Sequence, residues 1–142
     1  MAVLSKPQIA IRPATFADDE FVLELATSSF HEYDPHARVT TARMRHESGA
    51  QTLLAVRGDA PLGFAIVGRI QAGTWAVNAI AVAPQERGRG VGQRLMRELE
   101  QRALRAGVSV LSLCTAQANL AALDLFLRLG FVIKNRHVVR YW

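Results

Sequence analysis

The stretch that decides the fold runs Trp75-Ala76-Val77-Asn78-Ala79-Ile80-Ala81-Val82-Ala83-Pro84-Gln85-Glu86-Arg87-Gly88-Arg89-Gly90-Val91-Gly92. From Trp75 to Val82 it is almost wholly apolar, as a strand covered on both faces by other layers would be. After Pro84 the character changes. Gly88, Gly90 and Gly92 crowd into a short turn, and a helical pattern follows. Val91, Leu95, Leu99 and Ala103 form one stripe, widened by Met96 and Leu104, while Arg94, Arg97, Glu98, Gln101, Arg102 and Arg105 line the other side. Glu98 and Arg102 stand in the favourable i, i+4 order, and Gly107 supplies the stop.

A strand that feeds a glycine-rich turn into a helix start is suited to a phosphate group. Glycine reaches positive φ and lets the backbone approach a ligand with no Cβ in the way. The first N–H groups of a helix lack internal partners and sit at the positive end of its dipole. Arg87 and Arg89 flank this turn and supply charge. A Walker P-loop is excluded because no Gly-Lys-Ser/Thr follows. A dinucleotide fingerprint is disfavoured: the Gly88-Arg89-Gly90-Val91-Gly92 spacing is wrong, and a hairpin rather than a βαβ unit precedes it.

Upstream, Ile9 and Ile11 alternate as a short strand that Pro13 ends. Thr15 and Asp18 have the form of a capping box, and the spacing of Phe21, Val22 and Leu25 predicts a helix over Phe16 to Ser29. Phe30 to Thr40 is irregular, polar and aromatic, and a second short helix is expected over Thr41 to Glu47. Thr52 to Val56 and Leu62 to Ile70 read as an antiparallel hairpin around Gly58-Asp59-Ala60-Pro61. Downstream, Val108 to Leu113 is a buried strand, and Asn119 caps a helix that is apolar nearly all round and ends at Gly130. Phe131 to Ile133 and Val138 to Tyr141 close the chain as strands. The expected fold is α/β in one domain over residues 1–142: a mixed, mostly antiparallel twisted sheet with splayed strands and helices on both faces.

Composition agrees with one ordered domain. The chain has 142 residues, half of them hydrophobic (50%) and 20% charged, with no long like-charge block. The single cysteine, Cys114, rules out an internal disulfide framework and favours a reducing compartment. No apolar run approaches the roughly 20 residues that span a bilayer, and Met1 to Ile11 does not read as a signal peptide, so a soluble, cytoplasmic protein is expected. The net charge of +5 is nearly all arginine, since Lys6 and Lys134 are the only lysines. That balance suits an anionic ligand, but from charge alone biased codon usage is the readier explanation.

Two separated motifs resemble one family. Arg87-Gly88-Arg89-Gly90-Val91-Gly92 matches the Arg/Gln-x-x-Gly-x-Gly/Ala motif of the GCN5-related N-acetyltransferases (GNAT), and Ile80-Ala81-Val82-Ala83-Pro84 resembles the strand that leads into it. Asn119 through Leu129-Gly130-Phe131 resembles the family's Asn-capped helix ending in Leu-Gly-Phe, and Ile11-Arg12-Pro13-Ala14-Thr15 with Asp18 its usual start. The resemblance covers essentially the whole chain and implies acetyl-CoA as cofactor. It places the pyrophosphate on Arg87, Gly88, Arg89, Gly90, Val91 and Gly92, and the pantetheine arm along Ile80, Ala81 and Val82. Asn119 either bonds that arm or only caps its helix. The family's strand glutamate, a general base, has no counterpart here. Asn78 is the strand's polar side chain and is suited to orient a water. The family's tyrosine, which protonates the departing thiolate beside the cofactor, falls on Phe126. Substitutes are sought in the polar loop, with Tyr33 and His36 as catalytic candidates beside His31 and Asp34.

The activity implied is acetyl transfer from acetyl-CoA to a primary amine in a ternary complex. A non-catalytic acyl-CoA-binding module is the alternative, because both acid/base positions lack a titrating group. Nucleic-acid binding is disfavoured: Glu98 and Glu100 interleave the arginines and no stacking aromatic accompanies them. No metal is implied. The acceptor is open, and His137 to Trp142 is the candidate surface for pairing two copies.

Overall fold

The structure is a computed structural model that describes residues 8–31, 51–113, 120–134 and 137–141. One mixed sheet runs through it in the order β1-β2-β3-β4-β5-β7-β6. Its strands are β1 (Ile9–Pro13), β2 (Gln51–Arg57), β3 (Ala60–Gln71), β4 (Thr74–Val82), β5 (Val110–Leu113), β6 (Val132–Lys134) and β7 (His137–Tyr141). All neighbours are antiparallel except β4 and β5. The helices among the described residues are α1 (Asp19–His31), α2 (Val91–Arg105) and α3 (Leu120–Arg128). The expected helix over Thr41 to Glu47 lies outside the described residues.

Each face of the sheet carries its own apolar layer, as strand alternation requires. On one face Val22, Leu25 and Ala26 of α1 pack with Leu54, Val56, Phe64, Ile66, Ala79 and Ala81. On the other, Val91, Leu95, Met96 and Leu99 of α2 pack with Leu53, Ala55, Ala65, Val67 and Val77, together with Phe126 and Phe131. Removing a side chain such as Leu95 or Leu99 from water contributes about 1.5–3 kcal/mol. β4 is thus covered on both faces, as its apolar run predicts.

Several boundaries differ from the sequence reading for local reasons. Pro13 remains in β1, opposite Leu53, because an edge strand tolerates a residue with no N–H to donate. The hairpin turn tightens to Gly58 and Asp59, with Gly58 at φ +61°, so Ala60 and Pro61 belong to β3. The first helix opens as a 3-10 turn over Phe16–Asp18 before α1 begins, and α1 extends to His31. Asp18 Oδ2 accepts from the Thr15 N–H at 2.8 Å and the Thr15 hydroxyl at 3.3 Å, and Arg12 Nη1 reaches the same oxygen at 2.8 Å. Val108 caps α2 through the Ala103 carbonyl at 2.9 Å, so β5 starts only at Val110. Leu104, expected on the apolar stripe, is exposed, whereas the Glu98–Arg102 pair forms at 3.1 Å. β7 is an inner strand between β5 and β6, so among the described residues the main-chain edges of the sheet are β1 and β6. No helix among the described residues is long and apolar enough to cross a membrane.

Candidate active site

The site is built on the second half of β4. Ala79, Ile80, Ala81 and Val82 pair with Ile66, Ala65, Phe64 and Gly63 of β3, while β5 pairs with Thr74 to Val77 only, among the described residues. The Ala83 N–H donates to the Leu62 carbonyl at 2.8 Å. Because main-chain direction alternates along an antiparallel ladder, Ala81 and Ala79 also face β3. Ile80 and Val82 therefore turn their N–H and C=O groups away from it, towards the side where β5 lies lower in the sheet.

Asn78 stands where the ladder slips. Val67 pairs with Val77 and Ile66 with Ala79, so Asn78 is an extra residue of β4, a β-bulge. Its side chain is exposed, and its Nδ2 lies 2.8 Å from the place a Cβ on Gly68 would occupy. Gly68 thus makes room for the Asn78 carboxamide.

Past Val82, a 3-10 turn over Pro84–Glu86 leads to the glycines. Gly88 has φ +77° and Gly90 φ +86°, a left-handed conformation that L side chains rarely adopt, and a Cβ on either would meet nothing within 4 Å. The turn requires glycine for its path there, and the space above it is open. Gly92 differs: its Cβ would lie 3.3 Å from Leu125 Cδ2 and 3.7 Å from Val82 Cγ2, so it permits the close approach of α2, α3 and β4. Gly90 is the residue before α2 and has no side chain to cap it. The N–H groups of Val91, Gly92 and Gln93 have no main-chain partner among the described residues, and the first bond of the helix is from Arg94 to the Gly90 carbonyl at 3.0 Å. Unpartnered, convergent N–H groups at an exposed helix start are what an anion requires.

Charged side chains tie this turn to the sheet. Arg57 Nη1 donates to both Glu86 carboxylate oxygens, at 3.1 and 3.2 Å. Arg87 Nε donates to the Val82 carbonyl at 3.2 Å, and Arg94 Nη2 to the Ile9 carbonyl at 2.8 Å. Arg89 is exposed in the turn.

The structure brings Asn78, Ile80, Ala81, Val82 and Arg87 to Gly92 onto one continuous run. Tyr33, His36 and Asn119 lie outside the described residues, as do Asp34 and Cys114. Phe126, expected beside the cofactor, has its ring in the core: it is 1% exposed and meets Phe131 edge-on at 5.9 Å between centroids. The last helix turns this position inward because Leu125, Phe126 and Leu129 share its buried side. Sequence reasoning missed Arg57, Glu86, Gly63 and Gly68. For the two glycines a signal existed, since an isolated glycine inside a strand often marks a bulge or a close approach. A cavity of about 210 Å³ is lined by Gln51, Val67, Gly68, Gly73, Trp75, Ala106 and Val108, and so shares Gly68 with the Asn78 bulge.

The model of the acetyltransferase (GNAT) family matches residues 19–131. No curated protein matches the sequence. Among solved structures, a GNAT-family acetyltransferase from Staphylococcus aureus Mu50 is 17% identical, with a TM-score of 0.81 over 94% of this chain and 99% of that one. The PaiA N-acetyltransferase of Thermoplasma acidophilum in complex with coenzyme A is 15% identical, with a TM-score of 0.78 over 95% and 99%. YncA of Salmonella typhimurium with its cofactor acetyl-CoA is 20% identical, with a TM-score of 0.78 over 94% of each chain. At these identities the likeness shows the fold.

Proposed function

The chain belongs to the acetyltransferase (GNAT) family, and from that premise we propose that it transfers an acetyl group from acetyl-CoA to a primary amine by direct attack. One observation carries this reading: outward-facing main chain at Ile80 and Val82, two left-handed glycines and an uncapped helix start follow one another in a single run. Gly88 to Gly92 and the first turn of α2 would hold the diphosphate, with Arg89 adding charge. Ile80 and Val82 would hydrogen-bond the pantetheine arm as a further strand does. A backbone N–H of this stretch, such as that of Ile80, would also polarise the thioester carbonyl, a contact worth about 3 kcal/mol in the transition state. The two similar structures that carry coenzyme A and acetyl-CoA support the choice of ligand.

The amine must lose a proton to attack. Asn78 accepts a hydrogen bond but takes no proton, so its part is to orient a water or the amine itself. Tyr33 and His36 are the proposed proton carriers, with histidine suited to act as base near neutral pH.

A second reading, a non-catalytic acyl-CoA-binding module, is favoured by one pair of observations. β4 carries a carboxamide at its bulge, and Phe126 lies in the core with no proton to give. Thermal unfolding tests the shared part of both readings: acetyl-CoA and CoA at about 100 times their dissociation constants would each add about 2.7 kcal/mol, and ATP should not. No shift with either CoA ligand rejects both. Release of CoA that depends on an added amine selects the enzyme; binding without such release selects the module.

A further inference from the structure

We infer that Arg57 is a positioning residue for the diphosphate turn, acting through Glu86, and that it cancels a negative charge the turn carries beside its anion site. The inference rests on the cofactor reading above. Arg57 ends β2, and Glu86 ends the 3-10 turn immediately before Arg87. Their side chains are 25% and 13% exposed, so the pair is largely shielded from water rather than loose on the surface. Nη1 contacts both carboxylate oxygens, across a separation of 29 residues. On the other side of Pro84, the Ala83 N–H is fixed to the Leu62 carbonyl. The 3-10 turn is therefore held at both ends, by main chain at Ala83 and by Arg57 at Glu86, and the glycines start from a fixed point.

Charge makes the arrangement more than a staple. Glu86 is the acidic residue nearest in sequence to Gly88, two positions before it. Left unpaired, a carboxylate near a diphosphate repels it, more so once water is displaced. With Arg57 on both oxygens the pair presents no net charge, and Arg89 and the α2 N–H groups face the ligand unopposed.

The test is calorimetric titration of the full chain with CoA, at low and raised salt, for wild type, Arg57→Met, Glu86→Gln and the double variant. Arg57→Met frees the Glu86 charge and should weaken CoA binding about tenfold at low salt, with the loss shrinking as salt rises. Glu86→Gln keeps an oxygen for Arg57, deletes the negative charge and should bind CoA at least as tightly as wild type. The double variant should fall between them. A staple without an electrostatic role would lower the unfolding midpoint in both single variants and shift affinity in neither, or in both alike, and either pattern overturns the inference. Should Arg57→Met not fold, the sign of the Glu86→Gln effect decides, since weaker binding there contradicts charge cancellation. Absence of CoA binding by wild type would instead reject the cofactor reading itself.

Discussion

β4 carries two regions of the site that are built on different principles. At its end, Gly88 and Gly90 supply conformations, and a ligand there would meet main-chain N–H groups with open space above them. At its bulge, Gly68 supplies room, and what fills the room is a side chain, the Asn78 carboxamide at 2.8 Å. In the first region the backbone path makes the site, and side chains such as Arg57 and Glu86 support it from outside. The second depends on which side chain stands at one position and what lies opposite. A cofactor common to a family suits the first kind of region, and an acceptor particular to one member suits the second.

The largest expected effect comes from separating the two glycines at the start of α2. Gly92→Asp forces a carboxylate between Leu125 and Val82, at 3.3 and 3.7 Å from the new Cβ. Forcing that crowding, with a half-buried charge against two apolar side chains, should cost about 3 kcal/mol or more of stability. Gly90→Asp meets nothing within 4 Å and should cost only about 1–2 kcal/mol for its left-handed backbone. It should nevertheless weaken CoA binding by at least about 100-fold, through charge and bulk over the N–H groups. Denaturant unfolding and calorimetry on the same samples separate these outcomes. Equal stability losses, or CoA binding retained by Gly90→Asp, would break the division between a glycine for packing and a glycine for the ligand.

Next in size is Gly63→Ala. Its Cβ would lie 2.6 Å from the Ala81 carbonyl oxygen, a backbone atom that moves only with the strand. A loss of about 2–3 kcal/mol is expected. Weaker CoA binding should accompany it, because Ala81 and Val82 shift with the clash. A stable variant with unchanged affinity would detach this stretch of β4 from the site.

Phe126→Tyr distinguishes sequence position from spatial position. The resemblance sets this residue where a tyrosine serves as acid, yet the ring is buried against Phe131. A hydroxyl placed there without a partner should cost about 1–3 kcal/mol and leave kcat no higher. A rise in kcat would show that the ring reaches the leaving thiol. Smaller again is Gly68→Ala, where the atom in the way is the end of the Asn78 side chain and can move aside. Stability should change by under about 1 kcal/mol, while kcat falls severalfold and KM for acetyl-CoA stays constant. A change in KM alone would remove Asn78 from the chemistry.

What the sequence made legible follows the same division. The apolar run of β4, the glycines and the stripe of α2 are local patterns, and the sheet, the family and the left-handed turn before α2 could be read from them. Phe126 defeats such reading because counting from Gly130-Phe131 gives a position along a helix, while burial is decided by what α2 and the sheet present to it. Arg57 and Glu86 were invisible for a related reason: they stand 29 residues apart, and the hairpin that joins β2 to β3 and the turn after β4 bring them together. The Asn78 bulge depends on the register of β3, which composition does not set. Leu104 looked like part of the stripe, but nine residues at about 3.6 per turn put it across α2 from Leu95, and it is exposed while Ala103 beside it is buried.

The smallest effect probes the other face of the sheet, where Arg12 and Asp18 join β1 to the start of α1. The Arg12 hydrogen bond holds the Asp18 carboxyl down from 3.8 to about 2, against an opposing push from burial and with a lesser contribution from the Thr15 N–H. A carboxyl whose pKa is lower folded than unfolded stabilises the protein above its unfolded pKa, and loses that contribution as pH falls through the folded value. The Arg12–Asp18 contribution should thus be constant from neutral pH to about 5, decline below about 4, and vanish only below about 2. Arg12 is 44% exposed, so the pair should contribute below about 1 kcal/mol. Denaturant unfolding of wild type and Asp18→Asn should show that gap at pH 7 and its closure in acid, with CoA affinity the same in both. An affinity change would join the α1 face to the cofactor turn energetically, and the two charged ties, Arg12–Asp18 and Arg57–Glu86, would no longer serve separate regions.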